Sequence, residues 1–185
     1  DVVDAIREEE TEDAQKMAGM EALEYSYSNS SLWEMVKARM GWLIVLFIGE
    51  SFTATAMGFF EHQIERAVVL ALFVPLIISS GGNTGSQAST LIIRALALGD
   101  VTIREWGRIF RRELSVGLIM GTVLGIIGFA RVAIWSQFVD VYGPEWFMIG
   151  MAVGCSLLGV VVWGNLIGSL FPLILKRLGL DPAVS

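Results

Sequence analysis

Cysteine and histidine are nearly absent. Cys155 and His62 are single occurrences in 185 residues, so neither a disulfide framework nor a Cys/His zinc site can be assembled within one chain. Any metal chemistry therefore has to use oxygen ligands. Charged residues are also few, 17% of the sequence, and no nucleophile, base and orienting acid form the set an enzyme needs. No enzymatic activity, organic cofactor or nucleic-acid partner is expected. There is no GxxxxGK[ST] phosphate loop, so the chain itself shows no route to ATP-driven pumping. No segment combines a charged start, a short apolar run and a small-residue cleavage site, and the first apolar stretch begins only near Gly41. That stretch reads as a retained anchor rather than a secretory leader.

What is abundant is apolar surface. Apolar residues fill 54% of the positions and gather in four long stretches, the composition of an integral membrane protein. A hydrocarbon core about 30 Å thick needs ~20 apolar residues per helix. Trp42 to Phe60, Leu114 to Phe138 and Phe147 to Leu175 each supply them. The expected fold class is an all-α integral membrane protein, a polytopic helix bundle with four spans present. The second stretch, Ala67 to Leu98, is too long for one straight span. Pro75 is followed by the run Ser79-Ser80-Gly81-Gly82-Asn83-Thr84-Gly85-Ser86-Gln87. Proline cannot donate to the carbonyl four residues earlier and glycine weakens a helix, so this span is predicted to break at Pro75 and Gly81–Gly85, releasing backbone groups at membrane depth.

Basic residues set the orientation. Lys37 and Arg39 precede span one, Arg104, Arg108, Arg111 and Arg112 separate spans two and three, and Lys176 and Arg177 follow span four. These groups belong in the cytoplasm, giving a multi-pass protein of the cell membrane with a cytoplasmic amino terminus. The net charge of −6 arises because acids crowd the segment from Asp1 to Glu34. Residues 1–40 are therefore expected to be an acidic cytosolic segment and 41–185 a transmembrane domain. Thr11-Glu12-Asp13 is expected to open a helix through Met17 and Met20, Tyr25 to Ser31 to be a linker, and Leu32 to Met40 a second short helix. No internal repeat is visible, so symmetry has to come from oligomerisation.

The polar residues of the second span are the candidates for chemistry. If the helix resumes at Asn83, then Asn83, Ser86 and Thr90 share a face, and unwound carbonyls with amide and hydroxyl side chains are how membrane proteins build cation sites. The competing reading is that the glycines permit tight helix packing and the polar side chains bond neighbouring helices. Packing is the reading for Gly117, Gly121, Gly125 and Gly128 in span three and for Gly150/Gly154 and Gly164/Gly168 in span four. Asn165, inside span four, has to bond another helix or face water. Glu50 falls near the middle of span one, where it either lines a pathway or pairs with Thr53 or Thr55. Glu113 is expected to pair with Arg111 and Arg112, and Arg94 to snorkel to anionic headgroups. In the acidic segment, Asp1 and Asp4, then Glu9, Glu12 and Asp13, have one-turn spacing that puts carboxylates on a common face. That is either a solvated charged helix or a site for a hard divalent cation.

These residues resemble a known family. Pro75, the run Gly81-Gly82-Asn83-Thr84-Gly85-Ser86-Gln87 and Arg94-Ala95-Leu96-Ala97-Leu98-Gly99 are similar to the second transmembrane region of the MgtE magnesium channels. Phe60-Glu61 and Lys176-Arg177-Leu178-Gly179-Leu180-Asp181-Pro182-Ala183 agree as well. The resemblance implies passive Mg2+ influx through a pore on the two-fold axis of a homodimer embedded in lipid. It implies Gly82, Asn83, Ser86 and Thr90 along the pore. It also implies Asp1, Asp4, Glu9, Glu12 and Asp13 as regulatory ligands for intracellular Mg2+, at the end of a cytosolic CBS domain and its connecting helix. Family members carry a fifth transmembrane helix with an ion-holding aspartate, which the resemblance places beyond Ser185. Two rivals stand beside this reading: a secondary transporter for another divalent cation or small solute, and a non-conducting membrane-anchored cation sensor.

Overall fold

Ser31 starts the first long helix. Its hydroxyl accepts from the Glu34 N–H at 3.3 Å and its own N–H donates to the Glu34 carboxylate at 2.8 Å, a reciprocal cap that satisfies two otherwise orphaned donors. From there α1 runs Leu32–Phe59 without interruption. The separate short helix expected over Leu32 to Met40 is thus the opening of the first span itself, because nothing between Met40 and Trp42 removes a backbone donor. This computed structural model describes residues 11–16, 18, 19, 21, 30–62 and 68–184, and among them no strand occurs. Residues 11–16 are helical and 18–19 form a turn, while Met17, Met20 and most of the expected linker lie outside the described residues. The described chain divides into two compact units, one containing α1 and the other the remaining spans.

The second unit begins with α2 (Val68–Ala71), turns through Leu72 and Phe73, and continues as α3 (Val74–Ala97). The interruption lies before Pro75, not within the glycine run. Leu72 and Phe73 donate to Val69 and Leu70, at 3.3 and 3.0 Å, in place of the longer helical bonds. Pro75 then occupies the first turn of α3, where its missing N–H has no helical acceptor to lose. The predicted break at Gly81–Gly85 is corrected by this geometry: α3 stays helical through the whole run. In hydrocarbon an unpaired backbone group costs several kcal/mol, whereas glycine in a helix costs about 1 kcal/mol, so an intact helix wins.

A 3-10 turn, Ile103–Glu105, leads into α4 (Trp106–Trp135), and a second, Gly143–Glu145, leads into α5 (Trp146–Arg177). Gly99 and Gly179 follow the ends of α3 and α5 with φ of +74° and +76°, the left-handed step that lets Asp100 and Leu180 donate back to Ala95 and Leu175, both at 2.9 Å. Four helical stretches are long and apolar enough to cross a membrane: Leu32–Phe59, Val68–Ala97, Ile103–Trp135 and Gly143–Arg177. The protein is an all-α polytopic membrane protein.

Within the second unit α5 is the common partner, packing along both α3 and α4. The contact is close because glycine meets backbone. A Cβ on Gly121 would stand 2.9 Å from the Leu158 carbonyl oxygen, and one on Gly125 2.7 Å from that of Gly154. On α5, Gly150 and Gly154 face α4, while Gly164 and Gly168 face Gly81 and Gly85 of α3. The two ends of this unit differ in chemistry. At one end Ile92, Leu96, Ile109 and Leu173 form a core, Lys176 Nζ donates to the Leu96 carbonyl at 3.3 Å, and Arg104, Arg108, Arg111, Arg112 and Arg177 cluster along the chain. At the other, Phe73 stacks near Tyr142 at 6.3 Å and Phe129 meets Phe147 edge-on at 5.7 Å.

Candidate functional site

α3 has two unlike faces. One is buried: Gly81, Thr84, Ala88, Ser89 and Ile92. A Cβ on Gly85 would stand 3.0 Å from the Gly164 carbonyl oxygen, and Gly81 is pressed against Val160 and Gly164. The other face is open and polar, with Ser79, Gly82, Asn83, Ser86, Gln87 and Thr90 all exposed, spaced three and four apart as one helical stripe. A Cβ added at Gly82 would meet nothing within 4 Å. Helical periodicity therefore brings together all four pore candidates, Gly82, Asn83, Ser86 and Thr90, although the broken backbone that motivated them does not exist.

Some of these polar groups are satisfied within the helix. Thr90 Oγ1 donates to the Ser86 carbonyl at 2.9 Å, Asn83 Nδ2 to Ser79 Oγ at 3.3 Å, and on the packed side Thr84 Oγ1 to the Ser80 carbonyl at 2.8 Å. Asn83 Oδ1, Ser86 Oγ and the Gln87 amide have no protein partner among the described residues. They present neutral oxygen acceptors at membrane depth. Facing lipid, such groups cost free energy; facing a water-filled path, they cost nothing and can hold the water shell of a hard cation. Gln87 lies in the same run and belongs to the stripe, yet only the intact helix shows that it does.

The regulatory candidates fare differently. Asp1, Asp4 and Glu9 lie outside the described residues. Glu12 is paired with Lys16 at 2.8 Å, one helical turn away, and Asp13 is half-buried beside it. Among the described residues no three His, Cys, Asp or Glu side chains come together, so the described part of this segment builds no metal site by itself.

Two intramembrane polar residues are resolved by distance. Asn165, 3% exposed, gives its amide protons to the Glu113 backbone carbonyl at 2.8 Å and to Glu113 Oε2 at 2.9 Å. Asn165 therefore bonds another helix, and Glu113 takes that partner in place of Arg111 and Arg112, because its side chain turns toward α5 while the two arginines stay exposed. The pairing spans 52 positions, and no local pattern announces it. On α1, the Thr55 and Ser51 hydroxyls donate to the carbonyls of Ser51 and Phe47, so Thr55 is not the partner of Glu50, which is exposed without a hydrogen bond among the described residues. An apolar groove between α4 and α5, lined by Gly121, Gly125, Phe129, Gly150, Gly154 and Leu158, has no converging polar groups and does not suit an ion.

Four membrane-length helices, one of them with an exposed polar stripe, are the setting in which likeness to known proteins is informative. The MgtE family model, described as divalent cation transporter, matches residues 74–185, more than half of the chain. The chain belongs to the MgtE family. The magnesium transporter MgtE of Thermus thermophilus is 36% identical over 184 residues, and that of Enterococcus faecalis 34% identical over 186. The magnesium transporter MgtE of Bacillus subtilis is 25% identical over 185 residues. Each match covers 100% of this chain but only 38% or 39% of the relative, so the chain spans about two fifths of the length of the curated relatives it matches. The matched region contains the stripe, the Gly164/Gly168 seat and the Glu113–Asn165 pair.

Proposed function

We propose that this chain forms the membrane pore of a magnesium transporter, in which Gly82, Asn83, Ser86 and Thr90 line a passive path for partly hydrated Mg2+. One observation carries the reading: a membrane-spanning helix exposes a continuous stripe of amide, hydroxyl and glycine positions, on which lipid would leave Asn83 Oδ1, Ser86 Oγ and the Gln87 amide unsatisfied. A second copy of the chain, facing the stripe across a two-fold axis, encloses a water-filled path and makes a homodimer. Magnesium sheds water reluctantly and keeps several waters in its sites, so neutral oxygens that bond its hydration shell suit it better than a closed cage. The gathering of basic residues at one end of the unit supports a cytoplasmic amino terminus in the cell membrane. In this scheme residues 1–40 are cytosolic and 41–185 form the pore domain. Asp1, Asp4, Glu9, Glu12 and Asp13 then report intracellular Mg2+ with ligands from the rest of the protein. For Glu12 this requires giving up Lys16.

The test is flux. The full-length protein carrying this chain is reconstituted into liposomes containing a magnesium-sensitive dye. Uptake should follow an imposed Mg2+ gradient without a sodium or proton gradient, fall with Asn83→Ala and Thr90→Ala, and persist with Ile119→Ala, which alters an exposed apolar position on α4. Uptake that needs a sodium or proton gradient identifies a coupled transporter instead. Unchanged uptake in both stripe variants overturns the assignment of the path to α3.

A further inference from the structure

We propose that the Asn165–Glu113 pair is a positioning device: it sets the rotation and height of α5, and through α5 the direction in which α3 turns its polar stripe. The inference rests on the reading of that stripe as the ion path. Three observations support it. Next to the pair the α4–α5 contact is smooth, because Gly117, Gly121 and Gly125 meet α5 atoms with no side chain of their own between, and the interlocking side chains Phe129, Val132, Val153 and Leu157 lie toward the opposite end. Surfaces of that kind permit close approach but offer few ridges to fix a register. The pair is the opposite. One amide gives two protons to the carbonyl and the carboxylate of a single residue, which specifies direction as well as distance. Gly117 lets α5 come close at this turn, since a Cβ there would lie 3.2 Å from the Val162 Cα, with Asn165 Cβ next at 3.4 Å.

The turn of α5 that carries Asn165 is also the turn that seats α3. Gly164, its neighbour in sequence, receives Gly81, and Gly168, one turn on, receives Gly85. Along this seat α3 is held by shape, and the hydrogen bond from Lys176 to the Leu96 carbonyl lies at the far end of the helix. Any rotation of α5 therefore moves the seat, and α3 follows it. One residue of rotation is about 100°, enough to exchange a path-facing position for a packed one.

Cysteine accessibility in the full-length protein reads this directly. In a Cys155→Ala background, Ser86→Cys should react with a charged, membrane-impermeant thiol reagent, and Ala88→Cys on the packed face should not. Asn165→Leu keeps the volume and removes the donors. In Asn165→Leu protein that is monodisperse and folded, labelling at Ser86→Cys should be lost and labelling at its neighbour Gln87→Cys should change. Glu113→Gln retains an acceptor and should keep the parent pattern. If Asn165→Leu yields no folded protein, Glu113→Ala removes the side-chain acceptor and leaves only the bond to the backbone carbonyl; labelling at Ser86→Cys should then fall, and an unchanged pattern there overturns the inference. So does an unchanged pattern in folded Asn165→Leu. If Ser86→Cys fails to react even with Asn165 in place, the path reading itself falls, and the inference with it.

Discussion

α3 and α4 are both glycine-rich spans packed on the same helix, yet they turn opposite kinds of surface outward. On α4 the small residues Gly117, Gly121, Gly125 and Gly128 are all buried, and the outward face is Ile119, Val123, Ile126 and Ile127. On α3 the buried side also contains glycine, Gly81 and Gly85, but the outward side is Ser79, Gly82, Asn83, Ser86 and Thr90. Glycine content therefore tells only that a membrane helix is closely packed. What distinguishes the two helices is the exposed face, apolar on α4 and polar on α3, and under the proposed reading the first meets lipid and the second water.

Several changes break or sharpen that contrast. The largest effect should come from filling a packed glycine. Gly125→Leu puts atoms where the Gly154 backbone stands and should cost about 3 kcal/mol or more through overpacking, seen as loss of monodisperse protein and a lowered melting temperature in detergent. Gly82→Ala, on the same kind of residue one helix away, meets open space and should raise the melting temperature slightly, since alanine is the better helix former by about 1 kcal/mol, while altering Mg2+ flux. Converting α3 to the character of α4 with Asn83→Leu and Ser86→Leu together should abolish flux while the protein still folds, because both positions are exposed. The reverse change, Ile119→Asn on α4, should destabilise by about 2 kcal/mol and leave flux per folded molecule intact. The smallest effect should be at the entry to α4. Thr102→Ala removes the hydroxyl and its bond to Glu105 at 3.2 Å and should cost about 1 kcal/mol, read as a small shift in the same melting curve.

The number of spans and their approximate limits were legible in the sequence because membrane thickness imposes a length on apolar runs. Trp42 to Phe60, Leu114 to Phe138 and Phe147 to Leu175 became Leu32–Phe59, Trp106–Trp135 and Trp146–Arg177. The helices reach further toward the basic residues because polar segments at the membrane edge remain helical. The close-approach glycines of α4 and α5 were legible too, from their three- and four-residue spacing. The break in the second span was misplaced. Pro75 and three glycines look alike to a propensity argument whether they end a helix or serve it, and only the position of Pro75 in the first turn, with Gly81 and Gly85 against Gly164 and Gly168, decides between the two. That Asn83, Ser86 and Thr90 share one face was legible because face-sharing follows from helical spacing alone. The Asn165–Glu113 pair was not, since it joins positions on different helices, and nothing near Glu113 in sequence competes visibly with the adjacent arginines.

The central claim is that one face of α3 looks into water while its opposite face is dry. Single cysteines placed at each position from Ser79 to Arg94, in the Cys155→Ala background of the full-length protein, would be reacted with a membrane-impermeant thiol reagent with and without Mg2+. The account predicts labelling at 79, 82, 83, 86, 87 and 90, slowed by Mg2+, and none at 84, 88 and 92. Labelling without helical periodicity, or none at the stripe positions, would contradict it.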